Sequence, residues 1–182
     1  WISSCTLEGS GAVSADENCF GDNNGEVSVS TSGGYSSSSF SWSNGSTSQN
    51  LSGVGAGTYT VTVTEGQGHF IELGPFVVDG PSSAVEISVN SVADVGCNGQ
   101  ASGSILTSST GGASGYSYQW SNNMGTTQNL NNVLSGMYTV TITDANGCIA
   151  ITGATINEPT PLVSTINSQN PSCDGGNDGS VT

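Results

Sequence analysis

Lysine and arginine are absent from the 182 residues, against 14 aspartates and glutamates, so the formal net charge is -14 at pH 7. With no cation to replace the counterions along a phosphate backbone, nucleic-acid binding is excluded, and an anionic membrane surface repels the chain for the same reason. Its natural small partners are cations. The same absence leaves no trypsin-type cleavage site. No stretch approaches the roughly 18 apolar residues of a membrane span, and no charged-then-apolar leader opens the sequence, which predicts a mature, soluble segment without membrane insertion. No two cysteines have the C-x-x-C spacing of a zinc site. Helical periodicity is missing, as are caps followed by apolar i, i+3, i+4 runs. No Gly-x-Ser-x-Gly elbow occurs and no His/Asp pair singles out one of the many serines, so no catalytic residue is nominated and an enzyme is not expected. The single histidine, His69, reads as a solvated turn residue.

What is present is Ser, Thr, Asn and Gly in abundance, a composition that acidic disordered chains share. Pattern argues for a fold. Val, Ile, Tyr, Phe and Trp alternate with Ser and Thr in short runs, the period-two signature of strands with one buried face. The length suffices to bury the core of one large or two ordinary domains.

The sequence repeats with a period of about 78 residues. Cys19 falls on Cys97 and Gly33-Gly34 on Gly111-Gly112. Phe40 to Asn44 falls on Tyr118 to Asn122, and Gln49-Asn50-Leu51 on Gln128-Asn129-Leu130 after a one-residue insertion. Gly57 to Thr64 falls on Gly136 to Thr143, and Asp79-Gly-Pro81 on Asn157-Glu-Pro159. A third copy opens at Cys173 to Val181, which echoes Cys19 to Val27. Its few strands cannot bury a sandwich core, which predicts that the natural chain continues or that a neighbouring molecule completes it.

The expected architecture is all-β: tandem immunoglobulin-like β-sandwich domains, with repeat 1 over 1–80, repeat 2 over 81–159 and the opening strands of a third repeat over 160–182. In repeat 2 strands are expected near Val85–Ser91, Gly103–Ser108, Tyr116–Ser121, Gln128–Val133, Met137–Thr143 and Ile149–Ile156. Asp144-Ala-Asn146-Gly147 supplies the last hairpin, Asn-Gly being tolerant of positive φ. Trp42 and Trp120 stand on the third strand of each copy, where such a sandwich buries a large aromatic between its sheets. Tyr59 and Tyr138 occupy the position of a tyrosine corner, whose hydroxyl bonds back to nearby backbone. All four are assigned to the core.

The run Cys97-Asn-Gly99, Gly103-Ser-Ile105, Gly111-Gly112, Tyr116 to Ser121, Leu130 to Cys148 and Glu158-Pro159 resembles the SprB-type repeat over nearly the whole chain. The resemblance implies a giant, acidic cell-surface adhesin of Bacteroidetes, exported across the outer membrane and in some members moved along the surface during gliding. It implies attachment without catalysis, at the cell surface of a Gram-negative bacterium. Repeat 1 departs from the pattern at His69, which stands where Cys148 stands, so the family's cysteine pairing cannot hold unchanged there.

Five cysteines suit an oxidising, extracellular setting. Cys97 precedes the second strand of repeat 2 and Cys148 opens its last strand, points at opposite ends of a sandwich. A strand of about seven residues spans roughly 20–25 Å, whereas bridged Cα atoms lie within about 7 Å. An intradomain bridge is therefore strained, and along a head-to-tail array Cys19 with Cys148 is the attractive interdomain disulfide. The same rule pairs Cys97 with a downstream cysteine, while Cys5 can stand in for the thiol missing at His69.

Asp22, Asn24 and Glu26 form an oxygen-rich loop, echoed by Asp174, Asn177 and Asp178, and are candidate calcium ligands. The matching loop in repeat 2, Asn98 to Ser102, has no carboxylate, which favours a plain turn and no cofactor. Asn44 and Asn50 lie in Asn-x-Ser sequons. Taken together, a structural and adhesive segment of a large secreted surface protein or extracellular filament is expected. Its partners are neighbouring repeats, with self-assembly and surface glycans as further candidates. The alternative is a carbohydrate-binding or spacer module of a secreted polysaccharide-degrading enzyme.

Overall fold

The structure is a computed structural model, which describes residues 6–35, 37–170 and 172–182. Its first unit has six strands: β1 (Glu8–Ala15), β2 (Gly25–Ser32), β3 (Ser38–Trp42), β4 (Leu51–Val54), β5 (Gly57–Glu65) and β6 (Phe70–Val78). They form two antiparallel sheets, β1-β2-β4 and β3-β5-β6. The second unit repeats the plan with β7 (Glu86–Ala93), β8 (Gly103–Thr110), β9 (Ser117–Trp120), β10 (Leu130–Val133), β11 (Gly136–Thr143) and β12 (Ile149–Ile156), in sheets β7-β8-β10 and β9-β11-β12. Strands β1 and β7 lie against β6 and β12, closing one side of each sandwich. A two-residue ladder, β13 (Ser168–Gln169) with β14 (Ser180–Val181), follows. The chain is thus all-β, two immunoglobulin-like sandwiches in tandem.

Alternation builds both cores. Gly25, Val27 and Val29 face inward along β2, as do Gly103, Ile105 and Thr107 along β8. Opposite them stand Val61 and Val63 on β5, and Val140 and Ile142 on β11. Trp42 is 3 % exposed and Trp120 1 %, and each indole N–H donates to a backbone carbonyl, of Ser48 at 2.8 Å and of Thr127 at 2.9 Å. A buried indole therefore leaves no polar atom without a partner. The Tyr59 and Tyr138 hydroxyls donate to the carbonyls of Gly55 at 2.9 Å and Leu134 at 3.0 Å, pinning the turn that enters β5 or β11. The strand expected from Tyr116 to Ser121 is shorter by one residue at each end. The Tyr116 hydroxyl donates back to the Gly111 carbonyl, and Ser121 opens a 3₁₀ turn whose Asn122 and Asn123 have φ of 57° and 55°.

The recurrent Gln-Asn-Leu has a structural cause. Strand β4 has four residues against eight in β2, so Val29 has no backbone partner on that side. Side-chain amides substitute: Asn50 Oδ1 accepts from Val29 N–H at 3.0 Å and Gln49 Nε2 donates to Val29 C=O at 2.9 Å. Asn129 and Gln128 do the same for Thr107 at 2.9 and 2.8 Å. One dipeptide thus satisfies a donor and an acceptor that would otherwise be unpaired.

Candidate functional site: the junction between the sandwiches

Loops of opposite origin meet between the units. From the first comes the β1–β2 turn carrying Cys19; from the second come the β8–β9 loop and the β11–β12 hairpin carrying Cys148. The structure brings Cys19 and Cys148 together as a disulfide, with Cα atoms 5.7 Å apart and 129 residues between them in sequence. Asn146 Nδ2 adds a hydrogen bond to the Asn18 carbonyl at 2.8 Å. Cys19 packs on a small apolar cap of the second sandwich, formed by Val85, Ile142 and Cys148. Beside the bridge lies a crevice of about 350 Å³ rimmed by Phe20, Asp22 and Ile149.

The hairpin is held by a carboxylate. Asp144 continues the inward-facing row of β11, is 5 % exposed, and accepts from the amides of Asn146 at 2.9 Å, Cys148 at 2.8 Å and Ala113 at 2.8 Å. This explains the Gly-Gly pair of the β8–β9 loop. Gly111 has φ +72° and a Cβ there would lie 1.9 Å from the Ala84 carbonyl oxygen; a Cβ on Gly112 would lie 2.4 Å from Asp144 Oδ2. Gly33 and Gly34 face Thr6 and Glu65 in the same way in the first unit.

Glu65 is the counterpart of Asp144 and His69 that of Cys148. Glu65 is 3 % exposed, takes the Tyr35 amide on one oxygen and contacts His69 Nδ1 with the other. His69, expected as a merely solvated turn residue, is exposed but committed to this pair, and its ring lies 6.4 Å from that of Tyr35. The cause is the buried carboxylate at the end of the β5 row, which the alternation pattern alone does not distinguish from a core position. Cys5 lies outside the described residues.

The turn that presents the cysteine is built alike three times. The carbonyls of Cys19, Cys97 and Cys173 accept from the amides of Asp22, Gln100 and Gly176 at 3.0, 3.1 and 3.0 Å. Asn24, Ser102 and Asp178 occupy one position, and their side-chain oxygens accept from the amides of Asn18, Gly96 and Ser172 at 3.0, 3.2 and 2.9 Å. Amide, hydroxyl and carboxylate all serve, so this position requires an acceptor and not a charge. Of the residues read as calcium candidates, Asn24 is thereby engaged in the turn, Asp22 rims the crevice, and Glu26 faces solvent on β2. Among the described residues no group of three or more His, Cys, Asp and Glu side chains is placed to hold a metal.

Glu17 was not singled out by sequence. It is 5 % exposed and accepts from Gly21, Asn23 and Ala56 amides at 3.1, 2.9 and 3.0 Å, tying the Cys19 turn to the turn before β5. Repeat 2 has Val95 there, and Glu158 takes over by accepting from the Gly99 amide at 3.0 Å. The signal available was a lone acid aligned with a valine.

The Asn23, Ala56 and Gly21 amides hold the Glu17 carboxyl below its ordinary range against the upward push of burial. The Tyr35 amide, then His69, does the same for Glu65. For Asp144 burial is the largest influence and acts upward, yet the Ala113, Cys148, Asn146 and Gly147 amides together outweigh it and leave the carboxyl lowered. A depressed native pKa means that the unfolded chain takes up protons first, so this stability is full above the ordinary carboxylate range and is lost as pH falls through the native values. Asp144→Asn is expected to melt below the parent at pH 7, with the gap closing toward pH 3. Thermal melts across that range check it; a gap independent of pH would contradict it.

The opening strands of each unit carry a match at the family level. Residues 11–47 and 89–125 each fit the family model described as the SprB repeat. The SprB-repeat model thus matches the chain twice. The two matches begin at equivalent points of β1 and β7 and end just beyond β3 and β9, covering together less than half of the chain. No curated protein matches it. SprB repeats are structural repeats of large surface proteins. No helix among the described residues is long and apolar enough to cross a membrane.

Proposed function

We propose that this SprB-repeat segment is a stiffened, non-catalytic length of an extracellular cell-surface fibre, which carries an adhesive surface away from a Gram-negative cell. The junction carries the reading: a disulfide, an Asn146 to Asn18 hydrogen bond and a shared apolar cap join two sandwiches that each own a complete core. A short inter-domain segment without such bonds leaves relative domain motion as the default. Bonds placed across it resist bending and transmit tension, which is what a stalk needs. Repetition then adds reach and multivalency at no new chemistry. The high negative charge keeps neighbouring copies apart in solution.

Small-angle scattering of the oxidised chain, repeated after reduction, tests this. The oxidised chain is expected to scatter as an elongated rod of fixed maximum dimension, and the reduced chain as a broader distribution of bent forms. A compact, folded-back particle in both states would overturn the stalk. Surface labelling of intact cells, together with loss of attachment when the repeats are deleted, tests the adhesive part; unchanged attachment assigns adhesion elsewhere.

A further inference from the structure

The far end of the second sandwich reproduces the half-junction that the first sandwich contributes. Cys97 sits in the same hydrogen-bonded turn as Cys19, but as an exposed free thiol. The turn is already set before any bond forms: Ser102 Oγ holds the Gly96 amide, Glu158 the Gly99 amide, and Asn98 Nδ2 the Pro159 carbonyl at 3.1 Å. The strand ends behind it are clasped alike. Asp16 Oδ1 accepts from the Asp79 amide at 2.9 Å, and Asp94 Oδ1 from the Asn157 amide at 2.8 Å. A groove of about 400 Å³ between Cys97, Asn98, Pro159 and Leu162 lies beside the thiol, as the Phe20 crevice lies beside Cys19.

We infer that this end of the second sandwich is a socket for the Asp-x-Asn-Gly-Cys hairpin of a further SprB repeat, locked by a disulfide from Cys97. The occupant is named by the one seated in the equivalent place. At the first junction the hairpin Asp144 to Cys148 supplies the thiol, its Asn146 amide bonds the carbonyl of the residue before the cysteine, and Asp144 orients the cysteine amide. Gly96 offers that carbonyl at the second site. A small thiol has none of these contacts. The hairpin end of the first sandwich cannot serve as the plug, because His69 replaces the cysteine.

The bond forms by exchange with a low-molecular-weight disulfide such as oxidised glutathione. The Cys97 thiolate attacks it, releasing one thiol and leaving a mixed disulfide; the hairpin thiolate then displaces the second. Two protein S–H bonds are lost, one S–S bond is formed, and the small disulfide is reduced to two thiols.

The inference rests on the array reading, and its test separates the two. A second copy of residues 81–158 is inserted between Glu158 and Pro159, its hairpin marked by Ala145→Ser so that its peptides differ in mass. After oxidation in a glutathione buffer, free thiols are alkylated and the protein is cleaved at acidic residues. Cys97 of the original copy is expected on the marked hairpin, exceeding its glutathione adduct at least about tenfold because the tether holds the pair at an effective millimolar concentration. Cys97 alkylated as a free thiol, or bonded to Cys173, overturns the inference. Mapping the same cysteine in protein taken from the cells that make it guards against misfolding of the insert: a bridge to an Asp-x-Asn-Gly-Cys hairpin supports the inference, and a free thiol or any other partner overturns it. A rod seen by scattering with Cys97 free would leave the array intact and remove only the socket.

Discussion

Replacing Trp120 with alanine is expected to cost the second sandwich about 3–5 kcal/mol, a large part of the 5–15 kcal/mol that holds a typical domain together. Trp120 is the largest of the fully buried side chains and belongs to a cluster that draws Ile105 and Leu130 from one sheet and Val140 from the other. Truncation opens a cavity that short strands held by clips and clasps cannot collapse around. It also strands the Thr127 carbonyl that the indole N–H satisfies. Urea denaturation followed by circular dichroism measures the loss. With the Cys19–Cys148 bridge reduced, the first sandwich is expected to keep its own transition, since its Trp42 packs in a separate cluster, 6.0 Å from the Phe76 ring. A cost under about 1 kcal/mol would mean that the core repacks freely, contrary to its close packing.

Opening the Cys19–Cys148 bridge is the second large change. The bond closes a loop spanning 129 residues, and chain-entropy scaling puts the upper bound of its contribution near 5 kcal/mol. For a chain of this size each kcal/mol moves the melting temperature by about 2–4 °C, so a fall of as much as about 10–20 °C is expected on reduction or in Cys148→Ser. The mechanism predicts its distribution too. With the bridge intact, unfolding of either sandwich leaves the other tethered at both ends of the junction, and calorimetry is expected to show one broad coupled transition. Without it the two sandwiches are expected to melt as separate peaks. A reduced protein that melts within about 2 °C of the oxidised one would limit the bond to steering the junction.

The strands were legible because alternation is a local property. Val61, Val63 and Val140, Ile142 announce a buried face within a few residues, and the recurrence of the pattern announces two sandwiches. What sequence reading left out depends on partners far along the chain. Glu17 resembles any surface acid until its oxygens are found on the Ala56 amide; Glu65 looks like the end of a strand until it is found beneath Tyr35. The Gln-Asn-Leu recurrence was visible, but its cause is the shortness of β4, which no local pattern states. For the junction, proximity of Cys19 to Cys148 follows from sequence only after loops have been assigned to the ends of a sandwich. The Asn146 contact and the thrice-built turn need coordinates. The oxygen-rich loop shows the limit from the other side, since Asn24 and Asp178 share with Ser102 a role that depends on one lone pair and not on charge.

The Gln-Asn clip bears on crowding. A surface carrying many copies of one β-domain brings identical unpaired strand edges past each other at high local concentration, the circumstance in which sheets zip together between molecules. Where β2 and β8 outrun their short neighbours, the free amide and carbonyl are already taken by Asn50 with Gln49 and by Asn129 with Gln128. Each copy thus covers part of its own edge with two side chains in place of a further strand, and offers an identical neighbour that much less backbone to pair with.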